Sequence, residues 1–176
     1  MERALHIVVL DRSSVGEDVS VEPLKKYGEV TFHMTTKDEE AAERVKDADI
    51  IIVNKTPMNA DTLDGASHLK LICEFATGFD NVDLDYCRKR GIPVVNVVNY
   101  STAAVAQHTI ACVLYILEKL RYYDDYVKSG AYGSQPRFSH FGLPYSELDG
   151  KTWGIVGMGN IGRKVAAIAE AFGCRV

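Results

Sequence analysis

Apolar residues come in short, spaced bursts through the first 98 positions and in one long block after them. Leu5-His6-Ile7-Val8-Val9-Leu10 reads as a buried strand, and residues 30–34, 49–53, 69–73 and 92–97 repeat that pattern. Between them, residues 21–27, 38–46 and 82–90 read as helices, with Ala41, Ala42 and Val45 as the apolar face of the second and Gly28 stopping the first. Strands that are apolar on both faces and alternate with helices build a parallel sheet covered on both sides. The pattern therefore predicts an α/β fold, a flavodoxin-like doubly wound parallel sheet. Such sheets bind ligands beyond the carboxyl ends of their strands, which directs attention to the loops at 54–59, 74–81 and 98–101.

Residues 101–120 predict one long helix with Ser101 as its N-cap. From Ala103 to Leu117 its polar members are Gln107, His108 and Thr109, so the helix is apolar nearly all round and belongs between domains or in a subunit interface. Residues 121–150 differ: Tyr122, Tyr123, Tyr126, Tyr132, Phe138, Phe141 and Tyr145 stand among glycines, prolines and charges. The helix is expected to resume to about Lys128 and stop at Gly130. The remainder reads as an irregular arm that either meets another protein surface or packs on its own domain.

Gly157-Met158-Gly159-Asn160-Ile161-Gly162 matches GxGxxG, follows the strand-like residues 152–156 and opens a helix over 161–172 that ends at Gly173. In that context Gly157 allows a tight turn, Gly159 lets the main chain approach a diphosphate, and Gly162 lets helix and strand pack closely. The anion would sit against unpaired amides at the positive end of the helix. The alternative is a glycine turn with no ligand. The acid that would hold the adenosine ribose falls about 20 residues past the loop, beyond Val176, so the pattern is an incomplete Rossmann unit and does not separate NAD from NADP.

Charge adds to this picture. Residues 1–150 hold 16 basic and 23 acidic side chains, a net −7, while Lys151, Arg163, Lys164 and Arg175 against Glu170 leave residues 151–176 at +3. The local basic excess fits an anionic ligand or a solvated helix face. A sequence pI of about 5.7 argues against nucleic acid as a partner. The longest apolar run, Ile110 to Leu117, has eight residues, too short for a bilayer. Cys73, Cys87, Cys112 and Cys174 form no CxxC pair and read as reduced, mostly buried thiols of a cytoplasmic protein. His6, His33, His68 and His140 stand singly without metal-ligand spacing, and His108 reads as a packed, partly buried helix residue.

Five segments, in order, resemble one family: Asn54-Lys55-Thr56-Pro57; Ala76-Thr77-Gly78-Phe79-Asp80-Asn81-Val82-Asp83; Gly91-Ile92-Pro93-Val94; residues 100–109; and Leu148-Asp149-Gly150-Lys151-Thr152. Together with the glycine loop they are similar to the N-terminal portion of the D-isomer-specific 2-hydroxyacid dehydrogenases, in the glycerate dehydrogenase (hydroxypyruvate reductase) branch. The resemblance implies a substrate-binding domain over 1–98 and a dinucleotide-binding domain beginning at 99. One strand and one helix of such a domain cannot bury their apolar faces alone, so a homodimer through helix 101–120 and the arm 121–150 is expected; the resemblance itself places helix 101–120 between domains. It implies that Ala76, Thr77 and Gly78 bind the substrate carboxylate through main-chain amides, with Lys55 adding charge and Tyr100 facing the pocket. It places Val105 against the nicotinamide, and Gly157, Met158, Gly159, Asn160, Ile161 and Gly162 against the diphosphate of NAD or NADP. The implied reaction is hydride transfer between the nicotinamide and a small 2-oxoacid or 2-hydroxyacid such as hydroxypyruvate or glycerate. The family's catalytic Arg, Glu and His have no counterpart before Val176, so the chain is expected to be a truncated, inactive form. The alternative is a non-catalytic dimerising or ligand-binding module.

Overall fold

The bursts of apolar sequence become β1 (His6–Val9), β2 (Glu29–Phe32), β3 (Ile50–Val53), β4 (Leu71–Glu74) and β5 (Val94–Val95). The computed structural model describes residues 3–176. All four strand pairings are parallel, in the order β2-β1-β3-β4-β5. This is the flavodoxin-like doubly wound arrangement, an α/β fold. Alternation along β1 shows why both faces need cover: Val8 and Leu10 join Ile51, Val53 and Ile72 on one side, while Ile7 and Val9 join Ile52 on the other. Helices α1 (Asp38–Val45), α2 (Ala60–Leu63) and α3 (Leu84–Arg90) connect the later strands. Their starts follow from local chemistry. Asp38, Glu39 and Glu40 fill the first turn of α1, and the Asp83 carboxylate accepts the Tyr86 N–H at 2.9 Å to cap α3.

Several expected elements are shorter or of another type. The segment expected as a helix over 21–27 is a 3₁₀ turn over Glu22–Lys26, only five residues long with Pro23 at its start. The last strand shrinks from 92–97 to two residues. Pro93 has no N–H to give, and its carbonyl accepts the Ile72 N–H at 3.0 Å instead.

The chain divides into two compact units, Met1–Val98 and Asn99–Val176. The second holds α4 (Thr102–Leu117), α5 (Leu120–Lys128), α6 (Ala131–Ser134) and α7 (Asn160–Ala171). The expected single helix over 101–120 is broken: Lys119 takes a left-handed backbone, φ 52°, and α4 and α5 diverge by 66°. Ser101 does not cap α4 through its side chain, although its carbonyl accepts the Val105 N–H at 2.8 Å. Residues 152–156 are not a strand. Thr152 makes one parallel bridge, to Arg175, and no other extended segment lies alongside among the described residues. A strand exists only as far as a neighbour completes its ladder. In this unit Ala106 and Ile110 pack on Val165, with Leu114, Trp153, Ile155 and Ile168 around them. Among the described residues no single helix is long and apolar enough to cross a membrane.

The aromatic arm folds back onto α5. His140 stacks on Tyr126 with ring centroids 3.7 Å apart and lies 2.8 Å from the Tyr122 hydroxyl, and Tyr123 donates to the Leu143 carbonyl at 2.6 Å. Phe138 and Phe141 are left 93% and 88% exposed. Cys87 and Cys174 are buried as expected of thiols in a core, but Cys112 is exposed on α4. His108, expected to pack, is exposed one turn before it, 3.5 Å from the Cys112 sulfur.

Candidate functional site

Acids stand at the carboxyl ends of two strands in the first unit, where such sheets place their ligands. After β1, Asp11 is 6% exposed, and its Oδ2 accepts the N–H groups of Asn54 at 3.0 Å, Lys55 at 2.9 Å and Thr56 at 3.2 Å. The Thr56 hydroxyl donates to Oδ1 at 3.1 Å. Burial would raise the Asp11 pKa; the amides of Lys55, Asn54 and Thr56, with the Thr56 hydroxyl, outweigh it and hold it below its ordinary value. The loop after β3 thus has its amides filled by a carboxylate of the chain itself. What this loop contributes to the cavity described next is Asn54 and Lys55.

The loop after β4 is built the other way. The Ala76 carbonyl accepts the Val97 N–H at 3.0 Å, the Thr77 carbonyl accepts Asn96 Nδ2 at 2.7 Å, and the Thr77 hydroxyl donates to the Val97 carbonyl at 2.9 Å. With its oxygens pinned, the N–H groups of Ala76, Thr77 and Gly78 meet no protein acceptor among the described residues. Successive free N–H groups in a turn form a concavity suited to an anion. Asn54, Lys55, Ala76, Gly78, Asp80 and Asn81 line a cavity of about 290 Å³ here. Asn81 joins the two loops: its Nδ2 donates to the Thr56 carbonyl at 3.1 Å and to Glu74 Oε2 at 3.3 Å. Its carbonyl accepts the Met58 N–H at 2.8 Å.

In the second unit the glycine loop has the geometry its pattern implies. Gly157 has φ +97°, a conformation open to glycine. A Cβ on Gly162 would collide with the Gly157 carbonyl, so this position must stay bare for helix and loop to close. Gly159 starts α7 without a side-chain cap, leaving the N–H groups of Asn160, Ile161 and Gly162 without a protein acceptor among the described residues. These features fit a diphosphate at the positive end of α7. The loop is braced by Arg163, which donates to the Met158 carbonyl at 2.8 Å and to Asn160 Oδ1 at 2.5 Å. Asn160 Nδ2 in turn donates to Asn99 Oδ1, and Asn99 itself is left-handed at φ 65°.

The substrate candidates therefore separate. Lys55, Ala76 and Gly78 share the cavity, with Thr77 between the last two in the same turn, whereas Tyr100 belongs to the second unit and is exposed. Val105 lies on an exposed face of α4. Asp11, Glu74 and the bridging role of Asn81 are not apparent from pattern alone. The available signal was an acid ending a buried apolar strand at the ligand edge of a parallel sheet. Among the described residues no group of three His, Cys, Asp or Glu side chains could hold a metal.

Residues 7–172 match a family model described as D-isomer specific 2-hydroxyacid dehydrogenase, catalytic domain. The hydroxypyruvate reductase of Blautia hydrogenotrophica is 36% identical, over 98% of this chain and 55% of that protein. Among solved structures, the D-lactate dehydrogenase from Aquifex aeolicus, complexed with NAD and lactic acid, superimposes with a TM-score of 0.75 at 32% identity, over 96% of this chain and 50% of that one. An acyclic imino acid reductase in complex with NADPH and D-Arg gives a TM-score of 0.80 at 29% identity, over 98% of this chain and 55% of that one. The chain spans about half the length of the curated relatives it matches.

Proposed function

Because this chain belongs to the D-isomer specific 2-hydroxyacid dehydrogenase family, we propose that it serves an NAD(P)-dependent oxidoreductase acting on a small 2-oxoacid or 2-hydroxyacid, with hydroxypyruvate and glycerate as the leading pair. The observation that carries this reading is the loop after β4, whose carbonyls are tied down while three consecutive N–H groups stay free. The substrate carboxylate docks on Ala76, Thr77 and Gly78, and Lys55 adds positive charge at the rim. The diphosphate docks on Gly157, Met158, Gly159, Asn160, Ile161 and Gly162, and Val105 packs against the nicotinamide. The dinucleotide supplies or accepts the hydride. The residues of this chain bind and orient: fixed backbone donors hold one end of the substrate at no cost in reorganisation.

The unit Met1–Val98 is the substrate-binding domain in this reading, and Asn99–Val176 begins the dinucleotide-binding domain. The chain pairs with a second copy through α4 and residues 121–150. The exposed Phe138 and Phe141 of the arm and Tyr115 and Ile116 of α4 support this. Sedimentation equilibrium at micromolar concentration is expected to give twice the chain mass; a stable monomer would refute the pairing.

The site is tested by titrating the ¹⁵N-labelled chain. Hydroxypyruvate is expected to shift the amide signals of Ala76, Thr77 and Gly78, and NADH those of Gly157 to Gly162. Hydroxypyruvate shifts confined to other residues would sink the carboxylate assignment.

A further inference from the structure

The last residue of β4 is an acid where the strand pattern calls for an apolar side chain. Glu74 pairs with Val53, shares the strand face of Ile72, and is 2% exposed. Its Oε2 accepts from Asn81, but its Oε1 has no hydrogen-bond partner among the described residues. A carboxylate held this way loses its hydration with little in return. Burial, opposed by the Asn81 amide and Lys55 and reinforced by the charge of Asp11, pushes its pKa up to about 7. The charged groups that act on it are Asp11 at the end of β1 and Lys55 after β3, while Asp80, in the loop that follows Glu74, lines the cavity. Asp11 is already compensated by three amides. One hydrogen bond, through Asn81, separates the Glu74 carboxyl from the wall of the cavity, and a single residue, Phe75, separates it along the chain from Ala76.

We propose that Glu74 is a positioning residue that must carry a proton for the 76–78 loop to accept a carboxylate. Neutral, it leaves the field of the free amides and Lys55 unopposed. Ionised, it sets a negative charge behind the place the substrate carboxylate occupies and weakens the grip of the loop. This rests on the reading that the loop holds the substrate carboxylate. Anion binding and proton binding at Glu74 then favour one another. Affinity is nearly full at pH 6, about half at pH 7, and falls about tenfold between pH 6 and pH 8.

The test is an NMR titration of the chain with ¹³C-labelled glutamate carboxyls and ¹⁵N-labelled amides, using D-glycerate as the probe. The Glu74 carboxyl is expected to titrate near pH 7 without ligand and at higher pH with saturating D-glycerate. The dissociation constant read from the 76–78 amides is expected to rise about tenfold from pH 6 to pH 8 in the native chain and to stay level in Glu74→Gln. A Glu74 midpoint below pH 5, a level dissociation constant in the native chain, or an unchanged slope in the variant would each overturn the proposal. The native titration decides alone if the variant does not fold. Failure of D-glycerate to move the 76–78 amides at any pH would remove the carboxylate site and this role with it. Normal shifts with pH-independent affinity would remove only the role of Glu74.

Discussion

The loop after β3 and the loop after β4 leave neighbouring strands at the same edge of the sheet, yet their main-chain N–H groups end in different places. In the first, Asn54, Lys55 and Thr56 all donate to Asp11, and the anion site is filled from within. In the second, residues 96 and 97 secure the oxygens and the nitrogens keep no protein acceptor among the described residues, with Ala76 and Gly78 lining the cavity. The acids beneath the two loops follow suit. Asp11 is saturated with donors and stays ionised, while Glu74 has an orphan oxygen and holds its proton to about pH 7. A parallel strand end is thus only potentially an anion site; which donors the rest of the fold consumes decides whether it remains one.

Removing the internal anion should have the largest effect. Asp11→Ala leaves the buried amide and hydroxyl of Thr56 and the partly buried amides of Asn54 and Lys55 without their acceptor, and it is expected to cost on the order of 3 kcal/mol in urea unfolding. A loss under 1 kcal/mol would show that water fills the gap and that the two loops differ less than their hydrogen bonds suggest. Acidity separates the two acids next. The depressed Asp11 pKa contributes stability above its ordinary value of 3.8, lost as pH falls through its folded pKa. Glu74 has the opposite sign. With a folded pKa of about 7 against an ordinary 4.5, the native state binds the extra proton, so stability falls as pH rises across that window. Glu74→Gln is expected to flatten the urea midpoint between pH 4.5 and 7, and Asp11→Asn to flatten it only below about 4. Asn81→Ala cuts the tie between the loops and is expected to cost about 1 kcal/mol by the same measurement. The smallest change in stability, within about 0.5 kcal/mol, is expected for the exposed Lys55→Ala. Calorimetry should nevertheless show it binding D-glycerate several-fold more weakly at low salt, and this difference should shrink as salt is added.

How much of this was legible in sequence follows from the range of the interactions. Strand order and the glycine loop are written in local patterns: apolar runs between helices, and Gly157, Gly159 and Gly162 at fixed spacing. Asp11 could not be read that way, because its partners lie 43 to 45 residues downstream. Glu74 was hidden for a related reason, since an acid after Leu71-Ile72-Cys73 looks like the end of a strand rather than part of its buried face. The bend at Lys119 carries no glycine or proline to announce it. Residues 152–156 have the composition of a strand, but a ladder needs a neighbour, and among the described residues only the Arg175 region provides one.

Residues 96 and 97 fix the loop after β4 by its backbone, and the donors they leave exposed belong to the peptide unit, which every amino acid except proline supplies. On the proposed reading Ala76 is therefore free to drift over generations without erasing the contact, whereas Thr77 also ties the loop to the Val97 carbonyl through its hydroxyl. On that reading, new substrate preferences can be tried by exchanging neighbouring side chains while the proposed attachment point is inherited intact.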